Sequence, residues 1–137
     1  MSNPIAAIRA AFVTKLQAFP SLPSVAWENF AFTPVNGASY LKPALLPGEP
    51  SQAEIGVNGI NRHVGVYQIS VFAPSGSGIA AINTLVDSLC DHFKRGTVVA
   101  YTGTNVTISK AYAGPVLQET DWQQVPISIL YRADVPN

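Results

Sequence analysis

The sequence has few charged residues, a single cysteine and no long apolar run. Charged residues make up 12% of the chain, about half of the usual share, and eight acidic residues balance eight basic ones. No block of like charge occurs, which disfavours sequence-specific binding to a nucleic-acid backbone. Cys90 has no partner for an internal disulfide, as is typical of a protein that folds in a reducing compartment. Neither a membrane span nor a signal peptide is predicted.

What the sequence does contain is apolar surface, since 47% of its residues are hydrophobic. With so little charge, much of the surface must be uncharged, and contacts with other subunits are the simplest way to remove it from water. A length of 137 residues suits one domain with its own core. The composition therefore predicts a single domain over residues 1–137 that associates with copies of itself.

One strand and one helix organise the predicted fold. Tyr67, Ile69 and Val71 share one face of a long strand that ends at a glycine-rich break. An amphipathic second helix follows over residues 78–94, with Gly96 as its expected C-cap. A strand followed closely by such a helix folds the helix back over its own sheet, so that both apolar faces are buried.

A first helix and several more strands complete the prediction. Asn3 and Pro4 mark the start of this helix, which covers residues 4–18. Pro43 lacks an amide hydrogen and places its strand at an edge or a bulge. The fold class is therefore α+β, with a mixed, mainly antiparallel sheet, two helices packed on it and a projecting hairpin or loop between positions 46 and 62. The further strands are expected at residues 25–32, 40–46, 53–57, 97–101, 106–112, 116–120 and 125–132.

The most suggestive local motif is Gly76, Gly78 and Ala81, a match to G-x-G-x-x-A between a strand and a helix. Dinucleotide-binding folds also need an acidic residue about 20 positions on, at the end of the next strand. No acidic residue follows the strand at residues 97–101. A tight turn is therefore the preferred interpretation, and no cofactor is predicted.

Asp87, Asp91 and His92 lie close together on the second helix. Asp87 and Asp91 share a helix face, whereas His92 points about 100° away from Asp91. An ion pair between Asp91 and Arg95 on a solvated face is the preferred interpretation, and no metal site is predicted.

The sequence offers no arrangement for covalent or acid–base catalysis. No serine lies in a G-x-S-x-G elbow, and no two carboxylates are spaced as in a glycosidase. Cys90 lies beside the apolar stripe of the second helix, where a buried small side chain is favoured over a reactive thiolate. The sequence therefore predicts that the protein is not an enzyme.

An ordered series of residues resembles the tail terminator proteins of long-tailed bacteriophages and prophages. The resemblance covers residues 5–96, whereas the last third agrees mainly in being a set of β-strands. The series is Trp27-Glu28-Asn29, Phe32-Thr33-Pro34, Tyr40-Leu41, Leu46-Pro47, Gly56, Gly59, Arg62, Gly65, Gln68-Ile69, Val71, Pro74, Gly76, Gly78, Asp87, Leu89, His92-Phe93 and Arg95-Gly96.

The resemblance implies a structural virion protein rather than an enzyme. Such a subunit forms a homohexameric ring on the finished tail tube, at the head-proximal end of the tail, after assembly in the host cytoplasm. The ring stops tube polymerisation and presents its other face to a head-completion protein. Its partners are therefore copies of itself, the tail tube protein and the head-completion protein. DNA passes through the channel without sequence recognition, and no cofactor or membrane is involved.

Two groups of residues are predicted to serve this role. Arg62, Lys94 and Arg95 are expected to line the channel, with a solvated face or a helix-end interaction as the alternative. The second group is an interface with the tube or with another subunit, for which an ordinary mobile loop is the alternative: Gly48, Glu49, Ser51, Glu54, Asn58, Asn61 and Arg62.

Two other functions remain as alternatives to a tail terminator. One is a head-completion or neck component of the virion, and the other is a small ligand-binding or enzymatic domain that uses the turn at Gly76 and Gly78.

Overall fold

The structure is a computed structural model that describes residues 4–20, 24–28, 39–52, 54–57, 59–74, 80–101, 104–119 and 121–136. Two helices lie in these ranges, α1 over Pro4–Gln17 and α2 over Ala80–His92. The α+β class is therefore confirmed. The strands are β1 Ser24–Val25, β2 Tyr40–Pro47, β3 Ser51–Gln52, β4 Ile60–Pro74, β5 Val98–Tyr101, β6 Thr104–Ala113, β7 Leu117–Gln118 and β8 Trp122–Pro136.

All of these strands belong to one sheet, in the order β1-β2-β4-β8-β6-β5, with β3 beside β4 and β7 beside β8. β1 runs parallel to β2, and the other pairs are antiparallel, so the predicted mixed, mainly antiparallel sheet is confirmed. β4 and β8 form the centre and pair along 15 residues each, from Ile60 opposite Pro136 to Pro74 opposite Trp122. The register of β6 on β8 shifts between Ile108 and Lys110, which makes Ser109 the extra residue of a β-bulge.

Both helices pack on the same face of the sheet, and Phe12 of α1 is at the centre of the contact. Its ring stacks on Tyr67 of β4 with centroids 4.5 Å apart and meets Tyr131 of β8 edge-on at 5.4 Å. Phe93, just beyond α2, lies 6.2 Å away on the other side. Phe12, Tyr67 and Phe93 are fully buried. One aromatic side chain therefore joins the first helix, the second helix and the two central strands.

The second helix ends earlier than predicted. It stops at His92, and Gly96 is not its cap: Gly96 has a φ of +89° and donates its N–H to the Ile108 carbonyl at 2.9 Å, which turns the chain into β5. Asp91 and Arg95, both in the described part of the chain, do not form the predicted ion pair. The reason is that Arg95 lies beyond the end of the helix, where the spacing of four residues no longer brings two side chains together.

The strand predicted at residues 25–32 is also wrong in part, because strand structure ends at Val25. Glu28 instead accepts a hydrogen bond from Arg9 of α1, with Nε and Oε1 3.1 Å apart, and Trp27 packs half-buried against the core. These contacts with α1 override the β propensity of the sequence. The rest of the predicted strand lies outside the described residues.

The prediction for Pro43 is confirmed within the described residues. β1 pairs only with Tyr40 and Leu41, so no described strand lies beside Pro43 on the outer side of β2. A proline is tolerated at this edge because no strand needs its missing N–H.

Candidate assembly interface

The segment predicted as an interface, residues 48–62, joins β2 to β4 and is attached to the sheet at few points. β3 pairs Ser51 with Arg62 and Gln52 with Asn61, and the N–H of Gly48 donates to the Val64 carbonyl at 2.8 Å. Beyond β3 the chain leaves the sheet, so the strand predicted at residues 53–57 is wrong over its described residues, 54–57. The segment therefore depends on its own internal hydrogen bonds for its shape.

Those internal bonds define a tip segment, residues 54–57. The N–H of Glu54 donates to the Ile60 carbonyl at 3.1 Å, and the Glu54 carboxylate accepts from the N–H of Ile60 at 3.2 Å. Gly56 has a φ of +112°, a conformation that favours glycine, and reverses the chain between Ile55 and Val57. Ile55 is 100% exposed and Val57 81%, the highest values among the large apolar side chains of the described residues.

At the end of the sheet from which this segment extends, an ion pair between Arg62 and Asp134 joins β4 to β8. Arg62 donates from Nε to Oδ1 at 2.9 Å and from Nη2 to Oδ2 at 3.4 Å. These bonds lower the pKa of Asp134 and raise that of Arg62. Because the two side chains are 42% and 40% exposed, solvent screens the pair and its effect on stability is small.

The structure brings most of the predicted interface together, but it separates the predicted channel residues. Gly48, Glu49, Ser51 and Glu54 are exposed on one segment, next to Asn61 and Arg62 of β4, whereas Asn58 lies outside the described residues. Lys94 and Arg95 are exposed in the connection from α2 to β5, on the helix side of the sheet. Arg62 lies an odd number of positions before Tyr67, a core residue of β4, so its side chain points to the opposite face of the sheet, away from the helices.

That opposite side, the open sheet face, is a surface that the sequence prediction missed. No described helix covers it, and Leu46 is 51% and Val64 39% exposed there. Apolar residues at the outward positions of β4 and β8, such as Val66 and Leu130, are the signal that could have revealed it. Its charged residues stand towards the margins: Lys42, Lys110, Arg132 and the paired Arg62 and Asp134.

A cavity of about 290 Å³, the α1 groove, opens between the first helix and the segment after β1. It is lined by Arg9, Val13, Gln17, Trp27 and Glu28. The hydrogen bonds from Arg9 to Glu28 hold one wall of the groove in place. The groove was not predicted, because Trp27 and Glu28 were expected in a strand.

A second cavity, of about 310 Å³, lies between the ends of the helices and is lined by Phe19, Pro20, Ser88, Asp91 and His92. Nε2 of His92 lies 2.7 Å from the Lys15 carbonyl oxygen, where it satisfies the C-terminal turn of α1. Within the described ranges, no group of three His, Cys, Asp or Glu side chains is placed to hold a metal ion. The contacts of His92 are therefore those of a structural residue.

Cys90 is half-buried against the core, and burial raises the pKa of its thiol, which agrees with the predicted packing role. The hydroxyls of Tyr67 and Tyr131 are buried without a hydrogen-bond partner, and burial raises the pKa of both. Both tyrosines are therefore protonated at neutral pH, and a protonated hydroxyl does not act as a base.

The glycine motif of the sequence, Gly76 and Gly78, lies outside the described residues.

A sheet with helices on one face, an open second face and an exposed apolar tip is typical of a structural subunit that neighbouring molecules complete. No helix of the described chain is long and apolar enough to span a membrane. The family model described as phage tail terminator protein matches residues 7–131. The protein belongs to this family of structural proteins, and is therefore a component of the phage tail and of the virion. This membership confirms the resemblance noted in the sequence.

A solved structure has a similar fold over most of its length. It has a TM-score of 0.73 and 28% sequence identity to the chain, and the match covers 92% of both proteins. No curated protein is significantly similar in sequence.

Proposed function

We propose that this protein is the ring subunit that closes the head-proximal end of the phage tail tube. Copies of the chain form a homohexamer on the finished tube, end its polymerisation and present the opposite face to a head-completion protein. The observation that carries the proposal is membership of the tail terminator family. DNA passes through the ring without sequence recognition, and assembly takes place in the host cytoplasm without a cofactor or a membrane.

Two surfaces favour a subunit that is completed by its neighbours. The open sheet face has an uncharged centre and charged margins, which is the usual anatomy of a protein interface. A ring also needs head-to-tail contacts between two different patches of each subunit. A stable contact of this kind buries on the order of 1,000 Å² or more.

The segment at residues 48–62 is proposed to project from the subunit as a hairpin and to contact neighbouring molecules of the assembly. Its weak attachment to the sheet and the exposure of its tip favour this role. The proposed contact residues are those predicted from the sequence: Gly48, Glu49, Ser51, Glu54, Asn58, Asn61 and Arg62.

The channel is proposed to be lined by Arg62 or by the pair of Lys94 and Arg95. These two groups lie on opposite sides of the sheet. Both can therefore border the same channel only if an edge of the sheet, rather than one of its faces, lines that channel. Replacement of Arg62 and of the Lys94–Arg95 pair by alanine, one group at a time, separates these arrangements. The group that lines the channel should alter the rate of DNA release from otherwise complete particles.

Electron microscopy of tails assembled with and without the protein tests the proposed function. Without it, tubes should exceed their normal length and lack heads, and purified protein added during assembly should restore both properties. Tubes of normal length that fail to join heads would favour the head-completion alternative. Normal tubes with attached heads in the absence of the protein would contradict both functions.

A further inference from the structure

The two margins of the sheet present different backbone groups. In a strand at the edge of a sheet, every second residue points its N–H and C=O groups away from the sheet, where a strand of another molecule can pair with them. The near margin is the outer side of β2 at residues 42–47. The far margin is the outer side of β5 together with that of β6 at residues 109–113, which β5 does not reach.

Two hydrogen bonds fix which residues of the near margin point outward. The Leu41 carbonyl accepts from the N–H of Ala26 at 2.7 Å, so the backbone groups of Leu41 point away from β4. Gly48 donates its N–H in the opposite direction, to a carbonyl of β4 at 2.8 Å. Successive residues between them alternate in direction. The outward positions of the near margin are therefore those of Pro43, Leu45 and Pro47.

Prolines occupy two of these three outward positions. A proline has no N–H to donate, and its ring stands where the carbonyl oxygen of an incoming strand would lie. Neither Pro43 nor Pro47 weakens the pairing of β2 with β4, because no hydrogen bond to β4 is made from an outward position. Among residues 43–47, all of which are described, Leu45 alone points an N–H outward. The near margin therefore does not accept an added strand.

The far margin has free outward groups on β6. Gly114 donates its N–H to a carbonyl of β8 at 2.7 Å, so Ala111 and Ala113 point in the opposite direction, away from β8. β5 pairs only with residues 104–107, and Ile108 makes the last bonds to the chain just before β5. Within the described ranges, the outward N–H groups of Ala111 and Ala113 therefore have no hydrogen-bond partner.

The outer side of β5 is free in the same way. The Thr97 carbonyl accepts from the N–H of Ile108 in β6 at 2.9 Å, so Thr97 and alternate residues after it point towards β6. Val98 and Ala100 therefore point outward, and no described residue hydrogen-bonds to them there. Both residues are exposed, and neither strand of the far margin contains a proline. The far margin therefore accepts an added strand.

β2 of a second copy would pair with the far margin if all of its outward positions carried N–H groups. Such a contact joins two different margins, so it is head-to-tail, and it adds copies without limit unless the rotation closes. We propose that Pro43 and Pro47 prevent this contact and so keep copies of the subunit from joining sheet to sheet in open-ended chains. The inference concerns the isolated subunit, and it holds whether or not the proposed ring ends a tube.

Removal of the two prolines tests the proposal. The variant Pro43→Val with Pro47→Thr, the opened variant, restores both outward N–H groups with residues that favour strands. In sedimentation velocity its weight-average mass should rise with protein concentration, to at least twice the wild-type value at the same concentration. Circular dichroism and thermal unfolding establish that it folds. A folded opened variant with the mass of the wild type at every concentration would contradict the proposal.

Blocking the far margin provides the matched control. Ala100→Pro with Ala113→Pro removes one outward N–H from each strand, and in the opened variant it should return the mass to the wild-type value. Ala100→Val with Ala113→Val keeps those N–H groups and should leave the association unchanged. The proposal is wrong if association survives the proline pair, or if the valine pair abolishes it.

Hydrogen exchange of the wild type tests the near margin without any substitution. The amide of Leu45 should exchange at least tenfold faster than those of Ala44 and Leu46, because these two donate to β4 and Leu45 does not. The same result is expected in dilute and in concentrated solution. Equally slow exchange of Leu45 would place a partner on the near margin and contradict the proposal, even if the opened variant does not fold.

Discussion

Gly65 lies directly opposite Tyr131 in the central ladder, and the tyrosine hydroxyl is 2.6 Å from the point that a Cβ of residue 65 would occupy. The carbonyl oxygen of Leu46, on the other neighbouring strand, lies 2.7 Å from the same point. A side chain at position 65 would therefore collide with both neighbours. The close approach of β2, β4 and β8 depends on the absence of that side chain.

Gly65→Ala is expected to lower the free energy of unfolding by about 2 kcal/mol, the usual cost of overpacking. Chemical denaturation measures this loss. In a Tyr131→Phe background the same substitution should cost less than in the wild type but still cost stability, because the Leu46 carbonyl remains. No loss relative to the Tyr131→Phe single variant would contradict a role for the Leu46 backbone.

Tyr67→Phe and Tyr131→Phe are expected to maintain or raise stability, by up to about 1 kcal/mol. Both hydroxyls are buried without a hydrogen-bond partner, so their removal relieves a desolvation penalty and breaks no bond. Thermal and chemical unfolding of the two variants check this expectation. A loss of more than about 1 kcal/mol would instead indicate a partner, such as bound water.

Stability is expected to fall at alkaline pH. Burial raises the pKa of Tyr67 and Tyr131 above their ordinary value of 10.0, so the folded chain keeps these protons when the unfolded chain releases them. Their contribution is complete below the unfolded pKa and is lost as the pH rises through the folded pKa. The free energy of unfolding, measured between pH 8 and pH 12, should fall more steeply in the wild type than in the double phenylalanine variant.

Phe12→Ala is expected to destabilise the protein by about 3–5 kcal/mol, since it removes a fully buried ring. The same change separates α1 from both tyrosines and from Phe93. Ile5→Ala, on an exposed part of the same helix, is the matched control and should cost less than about 1 kcal/mol. Similar losses in the two variants would contradict the central position of Phe12.

The Arg62–Asp134 pair is expected to make a small contribution to stability that depends on pH. Arg62 lowers the pKa of Asp134 from its ordinary value of 3.8, so the contribution is present above that value and is lost as the pH falls through the folded pKa. Asp134→Asn should remove this part of the acid sensitivity. Unfolding curves from pH 6 to pH 2 compare the variant with the wild type, and identical slopes would contradict the pairing.

The alternation of apolar residues was sufficient to predict most of the fold. It placed Tyr67 and Ile69 on the core face of β4, as observed. It failed where contacts distant in the sequence decide the structure. Glu28 leaves its strand because Arg9 on α1 binds it, and the hydrogen bond of Gly96 is made to Ile108 of a later strand.

The surfaces were harder to predict than the core. The interface prediction selected polar residues of the segment after β2 and passed over Ile55 and Val57, because isolated apolar residues in a polar turn form no periodic pattern. Their exposure becomes evident only when the path of the chain is known. The α1 groove was missed for the same reason, since Trp27 meets Val13 only through tertiary structure.

The bulge at Ser109 also bears on how this protein can change in length. Val106 and Ile108 face the helices before it and Ala111 does so after it, so the inward positions are even on one side and odd on the other. Deletion of Ser109 would leave Ile108 turned towards the helices and Lys110 towards water, because the residues that remain alternate regularly between the two faces. Homologous chains should therefore be able to lose this residue, and with it the local bend, without turning any other side chain of β6 to the wrong face.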